Sequence, residues 1–106
     1  MFLKNGIENF AGFEFAAFRL KKGVNEEQLI AMSQQVDGKF LCDKDGVLGH
    51  FLLKGSDGLY ADVAIATTQQ RAEEVCQEWL SNDTTKQYLE LLDPESVKMT
   101  FWSRIS

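Results

Sequence analysis

The chain has 106 residues, 44% hydrophobic and 25% charged, the length and balance of one globular domain spanning 1–106. Eight Phe, two Tyr and two Trp supply apolar surface for a packed core and argue against disorder. Eleven Lys and Arg against sixteen Asp and Glu give a net charge of −5, which disfavours nucleic acid and anionic membrane surfaces, both read by basic side chains.

No run approaches the ~20 apolar residues of a transmembrane helix. Met1-Phe2-Leu3-Lys4-Asn5 lacks the basic leader and apolar stretch of a signal peptide, so a cytoplasmic location is expected. Glu14–Lys22 reads as a strand apolar on both sides, with Phe15 and Ala17 on one face and Ala16, Phe18 and Leu20 on the other; such a strand is covered twice. Lys22-Gly23 ends it. Asn25 then serves as an N-cap with Gln28 at the capping-box position, and Val24 and Leu29 form a hydrophobic staple. Leu29, Met32, Val36 and Phe40 recur at helical spacing, and Gly38 weakens the last turn, so the helix ends between Val36 and Cys42.

Val47–Lys54 and Leu59–Thr67 read as a hairpin around Ser56-Asp57-Gly58. Pairing Gly55 with Leu59 puts Val47, Gly49, Phe51 and Leu53 on one face with Ala61, Val63 and Ile65. Leu48, His50 and Leu52 then share the other face with Tyr60, Asp62, Ala64 and Ala66. Thr67 and Gln70 form a second capping pair ahead of the helical stripe Ala72, Val75, Cys76, Trp79. Ser81-Asn82-Asp83 interrupts it, Thr85–Leu92 adds a short helix, and Asp93-Pro94 stops that helix. Ser96–Arg104 is the last strand, with Val97, Met99 and Phe101 opposite Lys98, Thr100 and Trp102.

The order β-α-β-β-α-β defines a ferredoxin-like α+β fold, an antiparallel sheet in the order 4-1-3-2 with both helices on one face. Its other face is expected to carry Phe15, Leu48, Leu52, Tyr60, Ala64 and Trp102, too apolar for water. A second copy, sheet against sheet, would cover it, so a homodimer is expected.

His50, the only histidine, lies on the face assigned to the barrel interior, as a general base, as a ligand to a carbonyl, or as a half-buried side chain satisfied by a neighbour. Asp62 is diagonal to it in the hairpin and Arg19 ends the first strand, so Arg19, Asp62 and His50 form a candidate catalytic cluster or an ion pair that closes the barrel. Tyr60 and Trp102 are candidate walls for a flat ligand, or dimer packing, with Phe15, Leu48 and Leu52 beside them. Trp79 reads as core, as do Phe40, Met32 and Tyr88, which could alternatively line a cavity between helices and sheet. One His and two distant cysteines, Cys42 and Cys76, make no zinc site; no metal or cofactor is expected, and the thiols are expected to be free.

Phe18-Arg19-Leu20-Lys21-Lys22-Gly23-Val24 running into Asn-Glu-Glu, Gly46-Val47-Leu48-Gly49, the hairpin Leu53–Asp62 and Trp79-Leu80 resemble the dimeric α/β-barrel superfamily, and most its antibiotic-biosynthesis-monooxygenase-type members, over residues 13–104. The resemblance implies the fold and the dimer. Its members include cofactor-free oxygenases of polycyclic aromatics, haem-degrading oxygenases, lactone isomerases and ligand-sensing domains, and fold does not choose among them. The haem-degrading pattern is absent: the first strand has no Asn, Ala66 stands where a Trp is expected, and Gln69–Leu80 has no His. The expected function is binding of a small hydrophobic molecule, aromatic or acyl, with cofactor-free monooxygenation the activity implied by the resemblance. The alternative is a non-catalytic dimeric interaction or ligand-sensing module.

Overall fold

A computed structural model describes residues 1–106. Its strands are β1 (Phe2–Leu3), β2 (Gly12–Phe18), β3 (Val47–Lys54), β4 (Tyr60–Ala66) and β5 (Lys98–Ser103); its α-helices are α1 (Glu26–Val36), α2 (Gln69–Glu78) and α3 (Asp83–Leu89). All pair antiparallel in one sheet, in the order β1-β3-β4-β2-β5. Apart from β1, the strands have the expected ferredoxin-like order, β5-β2-β4-β3. β1 is an addition to it, two residues on the outer edge of β3, pairing Phe2 with His50 and Leu3 with Gly49. No helix is long and apolar enough to cross a membrane.

The capping box of α1 forms with both bonds at 2.9 Å. Beyond Val36 the helix widens into a π turn over Asp37–Leu41. The wider turn sends Phe40 and Leu41 into the core and sets Asp37 against β3. In α2 the cap is one residue later than expected: Thr68 Oγ1 accepts from Arg71 N at 3.0 Å, because the Thr67 N–H is already donated to Gly46 O at 2.8 Å. The helix start lies directly on β2, where a Cβ on Gly12 would run into the Thr68 carbonyl.

Gly55 N–H donates to Leu59 O at 2.8 Å, and the hairpin register is as predicted from Lys54↔Tyr60 to Gly49↔Ile65. The turn uses two left-handed residues, Asp57 (φ 56°) and Gly58 (φ 79°). Toward the start of β3 the ladder slips, Val47 facing Ala66 and Leu48 becoming the surplus residue of a β-bulge. Val47 therefore takes the His50 side of the strand, where unbroken alternation would put Leu48, and packs into the core under the helices.

The sheet faces are the main correction. His50, Leu52, Tyr60, Asp62 and Ala64 do share a face, but it is the face under the helices: His50 bonds Asp37 of the π turn and Asp62 bonds Tyr88 of α3. Phe15 and Trp102 lie on the opposite, open face with Phe13, Phe51 and Ile65. Both faces of the hairpin are largely apolar, so alternation determined the pairing without saying which side the helices would take. The core under the helices joins Phe18, Leu29, Val36, Phe40, Leu41, Val47, Val75, Tyr88 and Leu92. Fully burying a side chain such as Phe18 or Leu29 contributes roughly 1.5–3 kcal/mol.

Candidate functional site

Between the sheet and α2–α3 lies a cavity of about 80 Å³. Glu14, Ala16, Asp62 and Met99 form its floor, Cys76, Tyr88 and Leu89 come from the helices, and Phe18, Trp79, Leu80, Leu92 and Val97 complete it. Trp79 and Tyr88 meet edge to face at 5.2 Å, and Phe18 meets Tyr88 at 6.3 Å. Leu80, 63% exposed, and Met99, 42% exposed, are the lining residues most open to solvent.

Two acids interrupt this apolar lining, and their circumstances differ. Asp62 belongs to a connected chain of polar groups. His50, 0% exposed, places Nδ1 2.5 Å from Asp37 Oδ1 and Nε2 2.9 Å from both Asp62 oxygens. Tyr88 donates its hydroxyl to Asp62 Oδ2 at 2.6 Å, and the Met1 ammonium sits 2.8 Å from Asp37 Oδ2. Burial alone would lower the His50 pKa, but the Asp62 charge and the bonds to Asp37 and Asp62 raise it to about 10. The ring is therefore an imidazolium at neutral pH, donating from both nitrogens. At Asp37 burial works against ionisation, yet His50 and the terminal ammonium hold the carboxyl below its ordinary range. Burial and then Asp62 push the Tyr88 hydroxyl well above the ordinary tyrosine value.

Glu14 lies diagonal to Asp62 on the neighbouring strand, since Glu14 pairs with Ala64 and Ala16 with Asp62. It is 6% exposed, and no cation pairs with it; its side-chain hydrogen-bonding neighbour is the weak donor Cys76. Burial, reinforced by the Asp62 charge and opposed by His50, lifts its pKa to about 7. Burial and then Glu14 raise the Cys76 thiol to about 12, and its sulfur rests 3.3 Å from Met99 Sδ. Chemically, Glu14 is a carboxyl poised to give or take a proton near neutrality, facing an apolar space.

Of the residues expected at the site, Asp62 alone lines this cavity. His50 lies behind Asp62 with both nitrogens occupied and its proton tightly held, so it is not a free base for a ligand. Arg19 follows Phe18 and points away: its guanidinium bonds the Asp57 carbonyl in the hairpin turn and does not join Asp62 and His50. The second partner of His50 is instead Asp37. Tyr60 stacks on Phe18 at 6.1 Å and donates to Glu26 at 3.0 Å, outside the cavity. Leu52 pairs with Asp62 but packs on the core edge, and Leu48 sits in the bulge. Phe15 and Trp102 occupy the open face.

Glu14 is not among the residues the sequence singles out for the site. A single carboxylate inside Phe13-Glu14-Phe15-Ala16-Ala17-Phe18 was its signal. Trp79 and Cys76 lie in a helical stripe that reads equally well as core, whereas Tyr88, read as core with cavity lining as its alternative, does line the cavity.

The architecture is a ferredoxin-like α+β fold. SnoaB, a cofactor-independent oxygenase from Streptomyces nogalater, superposes with a TM-score of 0.67 at 12% identity, covering 90% of this chain and 93% of that one. A conserved protein from Methanosarcina mazei matches with a TM-score of 0.67 at 8% identity over 93% and 97% of the two chains. A dimeric ferredoxin-like protein from an uncultured marine organism matches at 0.60 and 11% over 94% and 92%. At these identities the likeness is one of fold. No family model and no curated protein matches the sequence.

Proposed function

We propose that the protein is a homodimeric α/β barrel that binds a small hydrophobic molecule in the cavity between its sheet and α2–α3. The observation that carries this reading is an apolar cavity ending on a buried, cation-free carboxyl, Glu14. A binding pocket is mainly apolar with a few converging polar groups, whereas a packing defect would not retain a desolvated acid. At about 80 Å³ the cavity is smaller than the roughly 150 Å³ that holds benzene. The buried part of the ligand is thus small, or Leu80 and Met99 swing aside to admit more.

The open face supports the dimer. Phe13, Phe15, Phe51 and Trp102 lie there, the last 56% exposed, and a structure of the same fold is dimeric. Light scattering is expected to give twice the chain mass, and Phe15→Lys combined with Trp102→Lys the mass of one chain; a wild-type monomer would refute the barrel.

Cofactor-independent oxygenation is a second reading, favoured by Glu14 as a base near neutrality and by the fold shared with SnoaB. Glu14 would take a proton from the bound molecule, which would then itself reduce dioxygen; one oxygen atom enters the product and the other leaves as water. A thermal-shift panel of aromatic and acyl compounds, followed by oxygen-electrode measurements on those that stabilise, tests both readings. Stabilisation without oxygen uptake supports binding alone. No stabilisation by any compound would leave the non-catalytic dimeric module.

A further inference from the structure

We infer that the buried end of the cavity is an ammonium site, which takes the protonated amine of a small hydrophobic molecule; this rests on the cavity being the binding site proposed above. Two features converge on a cation, the unbalanced acids and the aromatic lining. Two acidic residues, Glu14 and Asp62, line the space, and no Lys, Arg or His does. Asp62 already has its imidazolium, while Glu14, 94% buried by its 6% exposure, has none. The aromatic side chains of Phe18, Trp79 and Tyr88 line the same cavity, and aromatic rings are the apolar groups that attract a cation.

Charge selects among head groups of similar size. A carboxylate or phosphate would enter beside two acids with no basic group to receive it, and its desolvation would go uncompensated. An alcohol or phenol would donate one hydrogen bond and leave Glu14 without a counter-charge. An ammonium donates up to three N–H groups and neutralises Glu14 in the same step, forming a charge-assisted bond in a water-poor space. The remaining wall, made of Leu80, Leu89, Leu92 and Val97, fits an alkyl or aryl body.

The test compares matched trios at pH 8 in about 0.15 M salt, where nonspecific attraction to the acidic surface is screened: butylamine, 1-butanol and butyrate, then benzylamine, benzyl alcohol and phenylacetate. Calorimetric titration is expected to show each amine binding at least about tenfold tighter than its alcohol, with no binding of the carboxylates. In Glu14→Gln the amine and alcohol bind alike. Amine affinity rises between pH 6 and 8 as Glu14 ionises, with Asp62, His50, Cys76 and Tyr88 the titratable groups around it. Alcohols or carboxylates binding as well as amines would overturn the ammonium site and keep the pocket. An amine preference that survives in Glu14→Gln would place the amine elsewhere and overturn it too. If none of the six binds, the pocket reading fails and this inference falls with it.

Discussion

Two buried acids on adjacent strands of one sheet face show how partnership divides structure from function. Asp62 is held by His50 and Tyr88, and His50 in turn by Asp37, so both Asp62 oxygens and both His50 nitrogens have a fixed role. Glu14, one diagonal step away, has only a thiol beside it and a cavity before it. Removing a member of the first group leaves bare charges in the core. Removing the second relieves one.

The largest effect should come from breaking the His50-centred chain. His50→Leu removes the cation between Asp37 and Asp62 and is expected to cost about 3–5 kcal/mol in denaturant unfolding. The His50 pKa is raised above its unfolded value of 6.5, so its stabilisation is complete below about pH 6.5 and is lost as pH rises through about 10. The variant should therefore lose this alkaline decline.

Glu14→Gln should move stability the other way. A carboxyl raised from 4.5 to about 7 contributes stability that is complete below about pH 4.5 and disappears as pH rises through about 7. The Gln variant is expected to match the wild type near pH 4.5 and to exceed it by about 2–3 kcal/mol at pH 9. Equal pH profiles would mean that Glu14 is solvated and the contrast with Asp62 is lost. The smallest effect is on Cys76, whose thiol at about 12 should alkylate at pH 8 more than ~100-fold slower than free cysteine, and faster in Glu14→Gln.

The topology and the hairpin register were legible because strand alternation and the Gly55–Leu59 turn each specify pairing locally. The choice of face was not. Leu52 and Ala64 on one side, and Phe51 and Val63 on the other, are comparably apolar, and only the helices' own contacts decide between them. β1, with two residues, is too short for any period to register. Asp37 sits where the α1 stripe gives way to a π turn, so nothing in its spacing pointed toward His50. Adjacent Thr67 and Thr68 both make sound N-caps, and a distant backbone bond to Gly46 settled which one served. Arg19 and Asp62 were near in the expected order of strands, but Arg19 follows Phe18 onto the opposite side.

The surplus residue at Leu48 has a further consequence. In an unbroken strand Val47 and His50, three positions apart, would face opposite ways; the bulge resets the phase, so the hydrophobic core and the charged chain share one side of β3. Length matters more than chemistry at this point. Exchanging Leu48 for another aliphatic residue keeps both faces in step, and so does deleting it, which leaves Val47 and His50 two positions apart in a regular strand. A residue inserted between Ile65 and Ala66 would instead give Leu48 a partner, regularise the ladder and turn Val47 and His50 to opposite sides.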